Sequence, residues 1–359
     1  MRAMQLDTDC EGPLALNDNA FELCRDFLKP DGDRFFKQVS RYDDYLADLV
    51  KKEGYRARDT LKLILPFLKA YGLSNAKILD YSLRTIKLMP GAAAAYKFLH
   101  SQGFPIFEIS TSYRQFAEAV GSKLGFAKER IFCTELDLDG YSLAKGEAEE
   151  LRRLKEEIVA APEIELPPEA ASLNDLPAEV QEAIGRLDRI FWDLIPGLDI
   201  GRIYQEVNPL GGAEKARALE DSLAQTGLTL QDAIYVGDSI TDVQAFQAIG
   251  AGGGLSISFN GNRYAVEAAE VIVVADNAWS MALLACICQL WGKDGVLEVA
   301  NKGTRSLVLP DAVIEPLMRG LQGHNFSLYP ASTPDREKVI QESAAMRAKL
   351  RGEAIADLG

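Results

Sequence analysis

Three acidic residues stand within five positions near the start of the chain, in the stretch LDTDCEGPL. Asp7, Asp9 and Glu11 alternate with uncharged residues, and Gly12 follows at once. Like charges this close repel one another unless a positive partner shares their field. Carboxylate oxygens are the ligands that Mg²⁺ prefers in proteins. The stretch therefore predicts a turn built around a cation.

Further polar residues follow other apolar segments of the chain. Ser110 comes at the end of FPIFEIS, Asp238 and Asp242 follow DAIYV in the segment GDSITD, and Lys215 begins a helical segment. In open parallel sheets, ligands bind at the carboxyl ends of the strands, so these groups are expected to converge on one edge. The acids would hold Mg²⁺, Lys215 and the metal would neutralise a phosphate, and Ser110 would donate a hydrogen bond to it.

The elements that must position these residues are strands alternating with helices. From residue 211 onward the alternation is regular, which predicts a doubly wound α/β fold, a parallel sheet with helices on both faces. Residues 17–88 and 145–200 instead show long helical patterns. The predicted organisation is a core of residues 1–16, 89–145 and 205–300, a helical cap over 17–88, a second helical insertion over 146–204, and a C-terminal extension over 301–359 that ends in a helix.

Composition and net charge indicate which partners and which location to expect for this protein. The chain has 359 residues, 47% of them hydrophobic, and a formal net charge of −14. That charge argues against nucleic acid as a partner, because non-specific binding to nucleic acid is mainly attraction to phosphates. No apolar run is long enough to predict a membrane span. Five scattered cysteines do not form a disulfide framework, and the chain is expected to be cytoplasmic.

The acidic turn resembles the first motif of the haloacid-dehalogenase (HAD) superfamily, a strand ending in Asp-x-Asp-Gly-Thr/Val. Two registers compete. Asp7 and Asp9 give two aspartates, whereas Asp9 and Glu11 place Gly12 directly after the second acid. The second register is favoured because the chain must turn sharply there. It departs from the family pattern in having Glu for the second Asp and Pro13 for Thr or Val.

The other three motifs of the superfamily have matches in the same order. ISTSYRQF is similar to the second motif in its phosphoserine-phosphatase form, GGAEKARAL contains the lysine, and GDSITD matches Gly-Asp-x-x-x-Asp. The resemblance implies a HAD-like core and a Mg²⁺-dependent phosphatase that works through an aspartyl-phosphate. The implied roles are catalytic for Asp9, Glu11 and Lys215, phosphate-binding for Ser110, Thr111 and Lys215, and metal-binding for Asp9, Glu11, Asp238 and Asp242.

Substrate choice is assigned to the insertions. Arg41, Tyr42 and Arg56 of the predicted cap are candidate contacts for a small phosphorylated metabolite, although charged residues on such helices usually face solvent. The second insertion either packs on the first or forms the surface of a homodimer. The chain also resembles an archaeal and bacterial HAD-like group labelled energy-converting hydrogenase subunit R. Two alternatives to a phosphatase stay open: a phosphotransferase, and a non-catalytic or regulatory component of a larger complex of hydrogenase type.

Overall fold

The fold is built on one seven-stranded sheet. A computed structural model describes residues 2–52, 55, 59–167, 170–302 and 310–356. The strand order is β3-β2-β1-β4-β5-β6-β7; the first six strands are parallel, and β7 pairs antiparallel with β6 at the edge. The strands are β1 (Gln5–Thr8), β2 (Ile106–Tyr113), β3 (Ile131–Thr134), β4 (Ala233–Gly237), β5 (Leu255–Phe259), β6 (Val271–Ala275) and β7 (Phe326–Pro330).

Helices cover both faces of this sheet. One face packs against α6 (Ala92–Ser101), α7 (Arg114–Leu124) and α14 (Trp279–Lys302), which Gly292 interrupts. The other face packs against α11 (Ala213–Thr226), α12 (Val243–Ala251) and α13 (Arg263–Ala268). Neighbouring strand residues point to opposite faces, so Val236 belongs to the first core and Tyr235 to the second. The doubly wound α/β fold predicted from the sequence is confirmed.

Two helical segments form a separate hydrophobic core. The first comprises α1 (Asn19–Phe27), α2 (Gly32–Asp44), the π-helical turn Tyr45–Leu49, α3 (Thr60–Leu63), α4 (Leu65–Ala70) and α5 (Asn75–Thr85). The second comprises α8 (Glu147–Ala160), α9 (Ala178–Asp188), the π-helical turn Arg189–Leu194 and α10 (Ile203–Glu206). Their buried side chains belong to one cluster, so the two insertions pack on each other. The exact domain boundaries stay a prediction.

The strand carrying Ser110 is longer than its sequence pattern indicates. The polar residues that follow the apolar run FPIFEIS are part of β2, which continues to Tyr113 with a register irregularity against β3. Tyr113 is buried, and its hydroxyl donates to the carbonyl of Leu61, so tertiary packing extends the strand.

The C-terminal extension joins the core of the protein. Besides the edge strand β7 it supplies α15 (Asp311–Leu321), α16 (Arg336–Arg351) and α17 (Glu353–Ala356). Val339 and Ile340 of α16 pack against Val266, Ile272 and Val274. All five cysteines are buried and free. Within the described part of the chain, no helix is both long and apolar enough to cross a membrane.

Candidate active site

The ends of three adjacent strands form the floor of the candidate site. Thr8 of β1 is level with Glu108 of β2 and with Val236 of β4. Ser110 and Asp238 each lie two residues beyond those partners, and Asp9 directly follows Thr8. The parallel register therefore brings all three side chains to the same edge, as the sequence predicts for ligand-binding groups of an open sheet.

A buried lysine joins two of the acids. The Nζ atom of Lys215, near the start of α11, lies 2.7 Å from Oδ2 of Asp9 and 2.7 Å from Oδ1 of Asp242. The Lys215 and Asp242 side chains have no exposed surface. Oδ1 of Asp9 accepts the backbone N–H of Cys10 at 2.7 Å. Each oxygen of the Asp9 carboxylate thus has one donor, which holds the side chain in one orientation.

Burial and the neighbouring charges both shift the pKa values of Lys215 and Asp9. Burial lowers the pKa of Lys215, but the charges of Asp242 and Asp9 more than offset it, so the ammonium form is favoured. Burial raises the pKa of the Asp9 carboxyl well above its ordinary value, and the nearby Asp242 and Asp238 raise it further, against the effect of Lys215. Additional positive charge at this point would favour the ionised form of Asp9.

The donor set suits a hard divalent cation. One ligand atom from each of Asp9, Asp238 and Asp242 lies within 4.8 Å of the others, and all three residues are buried. Asp242 is already engaged: its Oδ2 accepts the backbone N–H groups of Asp238 and Ser239 at 3.0 Å each. Its Oδ1 is also occupied, by Lys215 at 2.7 Å and by the hydroxyl of Tyr235 at 2.9 Å, so this carboxylate is held by more donors than that of Asp9. Buried oxygens in this grouping fit Mg²⁺.

Glu11 lies where the turn after β1 meets the first helical insertion. Its Oε1 accepts the backbone N–H of Asn19, at the N-terminus of α1, at 2.9 Å, and the hydroxyl of Ser112 at 2.7 Å. Burial, followed by the charge of Asp18, raises the pKa of Glu11 to about 7, against the effect of Arg351. A carboxyl group that gains and loses a proton near neutral pH has the property required of a general acid and base.

The hydroxyl residues of β2 form one wall of the cleft. Ser110, Thr111 and Ser112 all line it, and Oγ of Ser110 accepts the backbone N–H of Ser112 at 3.0 Å. That bond leaves the Ser110 hydroxyl proton able to donate elsewhere. Thr111 contacts Thr241, with 3.5 Å between their Oγ1 atoms. The structure thus brings both predicted phosphate-binding hydroxyl residues to the cleft that holds Asp9.

Two arginines of the C-terminal helix enter the site, and sequence reasoning missed both. Nη1 of Arg347 lies 2.6 Å from Oδ2 of Asp238 and donates to the carbonyl of Asp238 at 3.2 Å. Nη1 of Arg351 lies 3.2 Å from the same Oδ2. Both side chains are buried yet line the cleft. The sequence did carry a signal, because Ile340, Ser343 and Arg347 have the helical spacing of one buried face.

Among the solved structures that match this chain is a protein from an archaeon. The structure of gene product AF1437 from Archaeoglobus fulgidus is 30% identical in sequence, covers 98% of each chain and has a TM-score of 0.78. This chain belongs to the same family as AF1437.

Other solved structures are more distant. A phospho-aspartyl intermediate analogue of phosphoserine phosphatase is 16% identical and covers 76% of this chain and 93% of that chain, with a TM-score of 0.46. A HAD family hydrolase, t0658 from Salmonella enterica serovar Typhi, is 12% identical and covers 74% of this chain and 66% of its own, with a TM-score of 0.44. No protein-family model and no curated protein matches the sequence.

Asp7, the other candidate of the acidic turn, lies away from the cleft. Its carboxylate accepts hydrogen bonds from the hydroxyl of Ser222 at 2.6 Å and from Nε2 of Gln5 at 2.9 Å, beneath α11. The side chain is completely buried. This placement favours the register in which Asp9 and Glu11 are the two acids of the motif, and it gives Asp7 the role of fixing α11 to β1.

Two of the predicted substrate contacts, Arg41 and Tyr42, are not among the residues that line the cleft. Tyr42 is fully buried between the insertions, where its hydroxyl donates to Asp188 at 2.5 Å. Arg41 is exposed and pairs with Asp44 at 3.5 Å. Arg56 lies outside the described residues. From the first insertion, the cleft is instead lined by Phe36 and Leu61, among others.

Proposed function

We propose that this protein is a Mg²⁺-dependent phosphatase of the HAD superfamily that hydrolyses a small phosphorylated metabolite through an aspartyl-phosphate. The observation that carries the proposal is the Asp9–Lys215–Asp242 arrangement. A carboxylate with a buried cation at 2.7 Å stands at the end of β1, facing the hydroxyl residues of β2. Activated carboxylates are established nucleophiles for phosphoryl transfer.

In the first step a carboxylate oxygen of Asp9 forms a bond to phosphorus while the bond from phosphorus to the leaving oxygen breaks. Glu11 donates its proton to that oxygen, so the product leaves as a neutral alcohol. Lys215 and the Ser110 hydroxyl stabilise the negative charge on the transferred group. The pKa of Glu11, about 7, supports a protonated fraction at neutral pH.

In the second step water attacks the aspartyl-phosphate. Glu11, now ionised, takes a proton from the water, and the bond between the phosphorus and Asp9 breaks to release inorganic phosphate. Ser112 and the N-terminus of α1 hold the Glu11 carboxylate in place for both transfers. Both steps use the same proton carrier, so loss of the Glu11 carboxyl group should affect both.

The cation would be held by Asp9 and Asp238, with Asp242 orienting the loop and the backbone carbonyl of Glu11 as the remaining protein ligand. When bound, it supplies positive charge that polarises the phosphoryl group. The buried carboxylates within 4.8 Å of one another support this assignment.

The test is hydrolysis of p-nitrophenyl phosphate by the wild-type protein and by Asp9→Asn, each with Mg²⁺ and with EDTA. We expect turnover with Mg²⁺, none with EDTA, and none for Asp9→Asn in either condition. Circular dichroism would establish that the variant remains folded. A wild-type protein that neither turns over the ester nor binds Mg²⁺ or orthophosphate would contradict the proposal and favour a non-catalytic component.

A further inference from the structure

The first helical insertion covers part of the candidate site. Only 5% of Asp9 and 1% of Ser110 is exposed. Phe36 and Leu61 of the insertion line the cleft, and the hydroxyl of Tyr113, at the end of β2, donates to the carbonyl of Leu61. Entry of a ligand past this wall, and its release, call for a movement of the insertion relative to the sheet.

The two connections of the first insertion pair with each other. Residues 14–17 lead into the insertion, and residues 87–89 lead back to the sheet in an antiparallel pairing. The backbone N–H of Leu16 donates to the carbonyl of Lys87 at 2.7 Å, and the N–H of Lys87 donates to Oδ1 of Asn17 at 2.7 Å. A movement of the first insertion relative to the sheet must bend the chain at this pairing, which we call the hinge.

Arg351, at the C-terminal end of α16, is attached to the hinge. Its Nε donates to the carbonyl of Leu16 at 3.2 Å and its Nη2 to the carbonyl of Asn17 at 2.7 Å. Its Nη1 lies 3.2 Å from Oδ2 of Asp238, in the loop after β4. One buried guanidinium therefore joins the hinge to the loop after a central strand of the sheet. Charge-assisted hydrogen bonds of this kind oppose bending of the hinge.

The C-terminal segment then continues from the sheet onto the insertions. Val339 and Ile340 hold α16 against the sheet. The chain turns at Gly352, whose φ of +86° and ψ of 152° form a combination that essentially only glycine adopts. Ile355 of α17 is buried in the hydrophobic cluster that the two insertions share. The same segment is thus fixed both to the sheet and to the insertions.

We propose that α16 and α17 act as a clasp that holds the insertions closed over the cleft. Arg351 fixes the hinge, Ile355 fixes the insertions, and release of these contacts lets the cleft open for exchange of ligands. Both are positioning residues, because they act through the hinge and the insertions and not on the substrate. The clasp determines how the cleft opens and does not depend on which reaction the cleft performs.

The test is amide hydrogen exchange, followed by mass spectrometry, in the wild-type protein, Arg351→Gln and Ile355→Ser. The N–H groups of Leu16 and Met89 are bonded across the hinge at 2.7 and 2.9 Å, so they exchange when the hinge opens. Each variant should raise exchange at the hinge about tenfold, while the amides of β4 and β5 keep the wild-type rate. Unchanged exchange at the hinge, or an equal rise throughout the protein, would overturn the proposal.

Two exposed positions of the clasp provide matched controls. Lys349→Gln removes a positive charge two residues before Arg351, and Ala354→Ser changes the side chain next to Ile355. Because both positions are exposed, exchange at the hinge should equal that of wild type in these two variants. A rise in the controls as large as the rise in Arg351→Gln would show that the specific contacts of the clasp do not hold the hinge.

A second measurement distinguishes opening from a weakened site. Ile355 does not line the cleft, so Ile355→Ser should leave the orthophosphate Kd, measured by calorimetry with Mg²⁺, unchanged. A gate that opens more often speeds entry and exit equally, and phosphorus NMR line widths should show about tenfold faster exchange of bound orthophosphate. Weaker binding at an unchanged association rate would overturn the proposal. If the wild-type protein binds no orthophosphate, the proposed function fails, while hydrogen exchange still decides whether the clasp exists.

Discussion

Lys215 lies 2.7 Å from Asp242, and neither side chain is exposed to solvent. The same ammonium reaches Asp9 at 2.7 Å, so one cation compensates two buried carboxylates. Removing one partner of a buried ion pair leaves the other charge without compensation, which typically costs about 3–5 kcal/mol. Lys215 therefore contributes both to the stability of the fold and to the positive charge beside Asp9.

Lys215→Met should lower the free energy of unfolding by about 3–5 kcal/mol, measured by urea denaturation, and should abolish hydrolysis of p-nitrophenyl phosphate. The loss of activity should persist in the double variant Lys215→Met/Asp242→Asn, while part of the stability returns because one unpaired charge is gone. Equal stability of the single and double variants would contradict this account of the pair.

Glu11 is held by Ser112 and by the N-terminus of α1, which fixes its position in both proposed proton transfers. Glu11→Gln should reduce steady-state turnover about 10²–10⁴-fold. Because p-nitrophenolate needs no proton to leave, the first step should survive better than the second. Rapid mixing should then show a burst of p-nitrophenolate close to one equivalent per site.

The control for Glu11 is Ser112→Ala, which keeps the carboxyl group and removes one hydrogen bond. Its turnover should fall much less than that of Glu11→Gln, with no burst. A Glu11→Gln protein that turns over at the wild-type rate would show that Glu11 is not the proton carrier. The departures from the HAD motif at Glu11 and Pro13 would then indicate a different mechanism.

Asp7 should make the free energy of unfolding fall as the pH rises. Burial, against the hydrogen bonds from Ser222 and Gln5, raises its pKa from an ordinary value near 3.8 to about 7. Between these values the unfolded chain has lost the proton while the folded chain keeps it. Folding is therefore accompanied by the uptake of a proton. As the pH rises, the contribution of Asp7 to the free energy of unfolding falls by about 1.4 kcal/mol for each pH unit. Above pH 7 the contribution levels off.

Asp7→Asn removes this titration. The difference in free energy of unfolding between Asp7→Asn and wild type should grow in favour of the variant from pH 4.5 to pH 7 and then stay constant. Urea denaturation at four pH values measures it. If the free energy of unfolding of the two proteins differs by the same amount at every pH, Asp7 does not titrate in this range. Asp7→Asn should also retain p-nitrophenyl phosphate hydrolysis, in contrast to Asp9→Asn.

The sheet and its polar edge could be predicted because the relevant signals are local. Each of Asp9, Ser110 and Asp238 follows an apolar run within a few residues, and parallel register then brings the three together. The alternation of strands and helices gave the doubly wound fold for the same reason. Their catalytic roles stay predictions.

The contacts that were missed depend on packing between distant segments. Arg347 meets Asp238 across 109 positions of sequence, and nothing near either residue indicates the other. Tyr42 of the predicted cap was a candidate substrate contact. It is instead stacked against Phe191 of the second insertion, with 5.6 Å between ring centroids. Periodicity identifies the buried face of a helix but not its partner.

Gly12 provides a test of how closely the acidic turn after β1 must approach the segment GDSITD after β4. Its φ is +104°, and a Cβ placed on it would lie 2.3 Å from Oδ2 of Asp238. Gly12→Ala should lower stability by about 1–2 kcal/mol from backbone strain and, by displacing the Asp238 carboxylate, should also weaken Mg²⁺ binding and turnover. Gly103→Ala is the matched control, since its φ is +84° but a Cβ there meets nothing within 4 Å. Thermal unfolding should show similar backbone strain in both variants, while calorimetry and turnover should change only in Gly12→Ala. Comparable Mg²⁺ affinity in the two variants would mean that Asp238 is not fixed by its approach to this turn.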